Sequence, residues 1–199
     1  MVEVIKMSKN PFWRKCAVFI MLLPVLACSS SGTYDVYHSE DMDFASIQSV
    51  AVMPLANLTR DNMAAERVRD VFMTMLLAAG SIYVIPPGEV ARGISMAGIS
   101  NPMNPSDGDI KKLATALKAD AVITGVLREY GDVRQMTIAG NIISFSLQMK
   151  EAQAGKVVWS ASATRGGIGM KERLIGGGGE PMNNITEKAV NEIINKLFK

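Results

Sequence analysis

Histidine occurs once in this 199-residue chain, at His38, and cysteine twice, at Cys16 and Cys28. That scarcity removes whole classes of chemistry. A Ser-His-Asp arrangement needs a histidine inside a folded domain, and His38 lies in a polar stretch that reads as a linker. Zinc sites draw on several His and Cys ligands, and the chain does not supply them. Charge is nearly balanced, with 21 Lys+Arg against 19 Asp+Glu for a net of +2. Nothing in it forms the clustered basic face that nucleic acid requires. No apolar run reaches the roughly 20 residues of a spanning helix. The expectation is a protein that is not an enzyme, with no cofactor, no metal and no nucleic-acid partner.

What the chain does have begins at its N-terminus. Lys6, Lys9, Arg14 and Lys15 make a basic start, and Ala17 to Leu26 carries no charge. Val25-Leu26-Ala27-Cys28 closes that run, and Ser29-Ser30-Ser31-Gly32 follows at once. A basic start, an apolar stretch of about 7–15 residues and small residues at the cut describe a secretory signal peptide. Cysteine directly after the small residue resembles the bacterial lipobox. That resemblance implies removal of residues 1–27, acylation of Cys28 and a membrane partner reached through the lipid. Two or three acyl chains hold a protein on a bilayer, where one alone is marginal. Ser29, where inner-membrane retention would place Asp, implies the outer membrane with the domain in the periplasm. Met1 and Met7 are both workable starts.

Cleavage changes the balance of the chain. Four bases and one acid (Glu3) precede Cys28, which leaves 17 bases and 18 acids, or −1. Cys16 departs with the signal, so the mature chain keeps no free thiol. Disulfides, thiolate metal sites and cysteine nucleophiles are thereby excluded.

Residues 28–46 hold the acylated Cys and then Ser, Gly, Asp and Glu, the composition of a solvated tether. Residues 47–199 suit one domain with a sizeable core. Gln48 to Leu55 reads as a buried strand ended by Pro54 and Asn57. Val68, Val71, Phe72, Met75, Leu76 and Ala79 recur at helical spacing behind Asp61. Ile82 to Ile85 is a second strand, halted by Pro86-Pro87. A short helix over 88–97 and a capping-box helix from Ser106 follow, the latter with Ile110, Leu113, Ala114 and Leu117 on one face. Ala121 to Leu127 is apolar enough for a central strand. Ile143, Phe145, Leu147 and Met149 alternate with polar residues, so their strand has one wet face. Ala154-Gly155-Lys156 turns into Val157 to Ala161, where Trp159 is expected to be buried. Ile185, Ala189, Val190, Ile193, Ile194 and Leu197 mark the last helix. The fold class is α+β: a mixed β-sheet with helices packed on it, in the order β-α-β-α-α-β-β-β-α.

Asp107 and Asp109 fit a helix start, where carboxylates favour the macrodipole. The glycines at 166–169 and 176–179 lack the Lys-Ser/Thr that a phosphate loop needs, and Glu180-Pro181 follows them instead. That loop, 164–181, reads as a flexible docking surface. The abundant methionines read as adaptable core filling.

Four stretches, taken together, resemble the CsgG/HfaB-like family of bacterial outer-membrane lipoproteins. Ser49 to Thr59 is similar to that family's opening strand and corner, and Leu117 to Gly125 to its "GADAVITG". Glu129-Tyr130-Gly131 and Ala154 to Ser160 follow in the same order. The resemblance implies a periplasmic domain engaged in envelope assembly or secretion by protein-protein contact, with homo-oligomers possible. The related alternative is a lipoprotein activator of a peptidoglycan synthase. Pore-forming hairpins of that family need strands of about 9–11 residues. Residues 128–140 and 164–181 are each too short and too charged, so no pore is expected. Asn57, Thr59 and Arg173 are the candidate partner contacts.

Overall fold

The computed structural model describes residues 32–135, 138–166 and 179–198. In chain order its elements are β1 (Thr33–His38), a 3-10 turn (Phe44–Ser46), β2 (Ser49–Val52), β3 (Ala56–Asn57) and α1 (Ala64–Ala78). Then come β4 (Tyr83–Val84), α2 (Pro87–Met96), α3 (Asp107–Leu117), β5 (Ala121–Gln135), β6 (Ile138–Glu151), β7 (Val157–Gly166) and α4 (Met182–Leu197). One mixed sheet runs β1-β7-β6-β5-β2-β4, with β3 added beside β5. The sheet is parallel from β4 through β2 to β5 and antiparallel from β5 to β1. The α+β class and the element order read from the sequence hold from β2 onward, with β3 as an extra two-residue strand.

β2 is apolar on both sides because both of its faces are covered. Val50 and Val52 join Val68, Phe72 and Leu76 of α1 and Ile185, Val190 and Ile193 of α4. Ala51 and Met53 meet Val90 of α2 and Ile110 and Leu113 of α3. On β6 and β7, Phe145, Leu147, Met149, Trp159 and Ala161 point into the first of these cores. Trp159 is fully buried, as its strand pattern predicts. The other face of these two strands carries Ser144, Ser146, Ser160, Ser162 and Thr164, with the Ser144 and Thr164 hydroxyls 2.9 Å apart. Gly125 of β5 pairs with Leu147 of β6. A Cβ there would lie 2.6 Å from the Ser146 carbonyl oxygen and 2.5 Å from Leu147 Cδ2.

One backbone group in β2 has no strand partner. Ile85 donates its N–H to Val50 at 2.9 Å, and the parallel register would next bring residue 87 to Val52. That residue is Pro87, which has no N–H, and the chain turns there into α2. Arg69 of α1 takes the vacant place. Its Nε and Nη2 donate to the Val52 carbonyl at 3.2 and 2.7 Å, and its Nη1 donates to Glu66 at 2.9 Å. A guanidinium 5% exposed is thus explained by a carbonyl that would otherwise be buried unpaired.

Two expectations from the sequence need correction. Residues 33–38 are no tether: they form β1, whose six residues pair with β7 from Thr33↔Thr164 to His38↔Trp159. His38 accordingly is not a solvated linker residue; its Nε2 bonds the Lys196 carbonyl at 2.8 Å, and its ring meets Phe44 edge-on. The folded body therefore begins well before residue 47. The stretch 128–140, read as too short for a spanning hairpin, belongs to a longer β5–β6 hairpin. β5 runs on to Gln135 and pairs with β6 as far as Ile138, past a register shift between Leu127 and Glu129. Its charges are tolerated because that extension leaves the core, with Asp132, Val133 and Arg134 exposed.

Candidate functional site

The corner between β3 and α1 holds two of the sequence-predicted contact residues, and it is built by them. Asn57 Oδ1 accepts the Thr59 N–H at 3.0 Å and the Thr59 hydroxyl at 2.8 Å. Asn57 Nδ2 donates to the Asp61 carbonyl at 2.8 Å. Asp61 Oδ1 then accepts the Met63 N–H at 2.9 Å, one residue ahead of α1. Short polar side chains that bond their own backbone in this way fix turns. The polar atoms of Asn57 and Thr59 are therefore spent on the corner itself.

Outward the corner presents two large apolar side chains, flanking the exposed Arg60 and Asn62. Leu58 is 70% exposed and Met63 58% exposed. Leu58 is held in place by its N–H, which bonds the Leu127 carbonyl of β5 at 2.9 Å. Beside it Arg67 pairs with Asp61 and lies over the Tyr130 ring, 5.7 Å from the centroid. A rigid loop offering two large apolar side chains beside an arginine and a tyrosine has the composition of a protein-contact surface. Sequence reasoning chose the polar neighbours and missed Leu58. The signal was an apolar residue at the centre of an Asn-x-Thr turn, a position that faces solvent.

A second concavity lies at the opposite end of the sheet. His38, Phe44, Ile47, Ile82, Leu197 and Phe198 line a groove of about 1020 Å³. It went unseen in the sequence because part of its wall, His38 and Phe44 included, comes from residues read as tether.

The helix-start carboxylates are structural. Ser106 Oγ accepts the Asp109 N–H at 3.2 Å, and Asp109 Oδ2 accepts the Ser106 N–H at 3.1 Å and its hydroxyl at 2.7 Å, a capping box. These bonds from Ser106 hold the Asp109 carboxyl below its ordinary value. Lys150, 2.6 Å from Asp107, does the same for that residue, first by hydrogen bonding and then by charge. Among the described residues no group of three His, Cys, Asp or Glu side chains gathers in metal-holding geometry. Nor is any described helix long and apolar enough to cross a membrane. Cys28, Arg173 and most of the 164–181 loop lie outside the described residues.

Comparison with known proteins places the chain more narrowly than its motifs do. A model of the GNA1162-like lipoprotein family matches residues 39–198. PelC from Paraburkholderia phytofirmans, solved as a dodecamer, superposes with a TM-score of 0.58 at 17% identity, over 84% of this chain and 97% of its own. A point variant of PelC, also a dodecamer, gives 0.60 at 18% identity, over 84% of this chain and 98% of its own. GNA1162 from Neisseria meningitidis gives 0.55 at 21% identity, over 76% of this chain and 98% of its own. At these identities the likeness establishes the fold. No curated protein sequence matches the chain. The CsgG/HfaB resemblance is thereby corrected: the family matched is the GNA1162-like one. The four resembling stretches fall on β2 with its corner, on β5, and on the β6–β7 turn with the start of β7.

Proposed function

The chain belongs to the GNA1162-like lipoprotein family, and we propose that it is a non-catalytic lipoprotein of the outer membrane, acylated on Cys28. Its periplasmic domain serves cell-envelope assembly by binding other proteins. The observation that carries this reading is the β3–α1 corner, where Leu58 and Met63 stand out from a turn that Asn57 and Thr59 fix from within. Two exposed apolar side chains on one loop beside an arginine and a tyrosine support a protein-recognition surface there. Self-association fits the same scaffold, since PelC with this fold is a dodecamer.

Two measurements test the proposal. Cys28→Ala is expected to leave the precursor uncleaved and unlabelled by radioactive palmitate, because no other cysteine survives in the mature chain; labelling equal to the parent would end the lipoprotein reading. Leu58→Asp is expected to abolish partner capture by in-cell crosslinking while leaving the thermal melt unchanged. Crosslinks identical to the parent's would remove the corner from the interface.

A further inference from the structure

The strand directions place one end of this sheet under a length constraint. β1, β7, β6 and β5 are antiparallel in turn, so Thr33, Gly166 and the Gln135/Ile138 end of the hairpin point the same way. The registers set the levels: Thr33 lies opposite Thr164, Thr164 opposite Ser144, and Ser144 opposite Glu129. From Ser144, β6 continues outward for six residues to Ile138, about 20 Å at roughly 3.3 Å per residue. The lead from Cys28 to Thr33 is five residues, at most about 18 Å when fully extended. The ribbon therefore points toward the surface that holds Cys28 and matches the lead in length.

The ribbon is two strands wide, with Gly179 and Glu180 lying against its Gly140 and Asn141. β7 leaves β6 at Ile142↔Gly166, so the pairs from Asp132↔Asn141 to Gln135↔Ile138 have no third strand among the described residues. A two-stranded ribbon alone is marginal in water. Its side chains suit an interface with lipid. Residues 131–141 contain one acid, Asp132, and it is paired to Arg134 at 2.6 Å. Val133 is exposed beside them.

We propose that the β5–β6 ribbon, through Val133 and Arg134, rests on the lipid surface in which acylated Cys28 is inserted. The valine enters the interfacial layer, and the guanidinium reaches phosphate oxygens, which its planar fork matches. This inference rests on the acylation of Cys28 proposed above.

The acylated mature chain has no free thiol, so a single introduced cysteine can be labelled with a polarity-sensitive nitrobenzoxadiazole dye. Val133→Cys reports the ribbon, and Gln153→Cys reports the exposed β6–β7 turn at the opposite end of the sheet. Both proteins are acylated in cells, purified and reconstituted into vesicles of phosphatidylethanolamine and phosphatidylglycerol, with and without nitroxide-bearing lipid. The label at 133 is expected to shift to the blue and lose more than half its emission to the nitroxide lipid, while the label at 153 does neither. Equal, weak quenching at both sites in protein that takes up palmitate and floats with the vesicles would overturn this inference alone. A blue shift at 133 that grows with protein density and ignores the nitroxide would also overturn it, since a second copy would then cover the ribbon. Failure to take up palmitate would overturn this inference together with the acylation reading.

Discussion

Replacing Arg69 with Met should destabilise the domain by about 1.5–3 kcal/mol, the range for a hydrogen bond to a charged partner whose loss strands a buried group. The reasoning starts from Val52, fully buried, whose carbonyl receives two guanidinium N–H groups. Methionine keeps most of the side-chain volume and so avoids a large cavity, but it donates nothing. Relief from burying the charge offsets part of the loss. The accompanying Glu66 pair contributes little, because its carboxylate is 55% exposed and such helix pairs are worth about 0.3–0.5 kcal/mol. For a domain of this size each kcal/mol moves the melting point by about 2–4 °C, so a fall of about 3–12 °C is expected. Urea unfolding followed by circular dichroism gives the same quantity as a drop in midpoint at constant slope. Glu66→Gln serves as the control and should cost no more than about 0.5 kcal/mol. Two results would refute the argument: Arg69→Met within that margin of the parent, or Glu66→Gln as costly as Arg69→Met. The second would assign the effect to the ion pair and not to the carbonyl.

Other outcomes follow from the same structure. Trp159→Ala should cost about 3–5 kcal/mol by thermal melting. Trp159→Phe should cost clearly less, because the lost Nε1 has no hydrogen-bond partner among the described residues; equal costs would contradict this. The carboxyls of Asp107 and Asp109 are held below their ordinary 3.8. Their stabilisation is therefore complete above that value and disappears as pH falls through the lower folded one. Asp109→Asn should flatten this acid limb in a pH series of melting points, and an unchanged limb would count against the capping box as its source. Lipidated protein should leave dye-loaded liposomes intact, since the four ribbon pairs beyond β7 span about 13 Å against a hydrocarbon core of about 30 Å. Reproducible dye release would restore a pore.

The helices were legible because each buries one stripe: Val68, Phe72 and Leu76 on α1 and Ile185, Ala189 and Ile193 on α4 recur at the spacing of a single face. The alternation of β6 was legible for the same reason, as Phe145, Leu147 and Met149 all reach the core. β1 was not. Its sole sheet partner is more than 120 residues away in the chain, it lies on an edge, and only Val36 of its side chains packs on the core. Local pattern cannot report a strand held by one distant ladder. The outer half of β5 was hidden by the opposite circumstance: Asp132, Val133 and Arg134 are exposed one after another, so no period-2 signal exists there. At the corner, Asn57 and Thr59 were chosen as polar and exposed, while the hydrogen bonds that engage them depend on φ/ψ values invisible in composition.

The placement of β1 also decides how the domain bears load. Tension arriving through the residues before Thr33 enters at that end and runs down the strand axis. The β1–β7 hydrogen bonds lie perpendicular to that axis. All six residue pairs are therefore sheared together, and none is peeled alone from the end. Had the lead entered at His38, the same ladder would open one pair at a time. With Cys28 acylated as proposed, tension on that lead loads the β1–β7 seam before it loads the core.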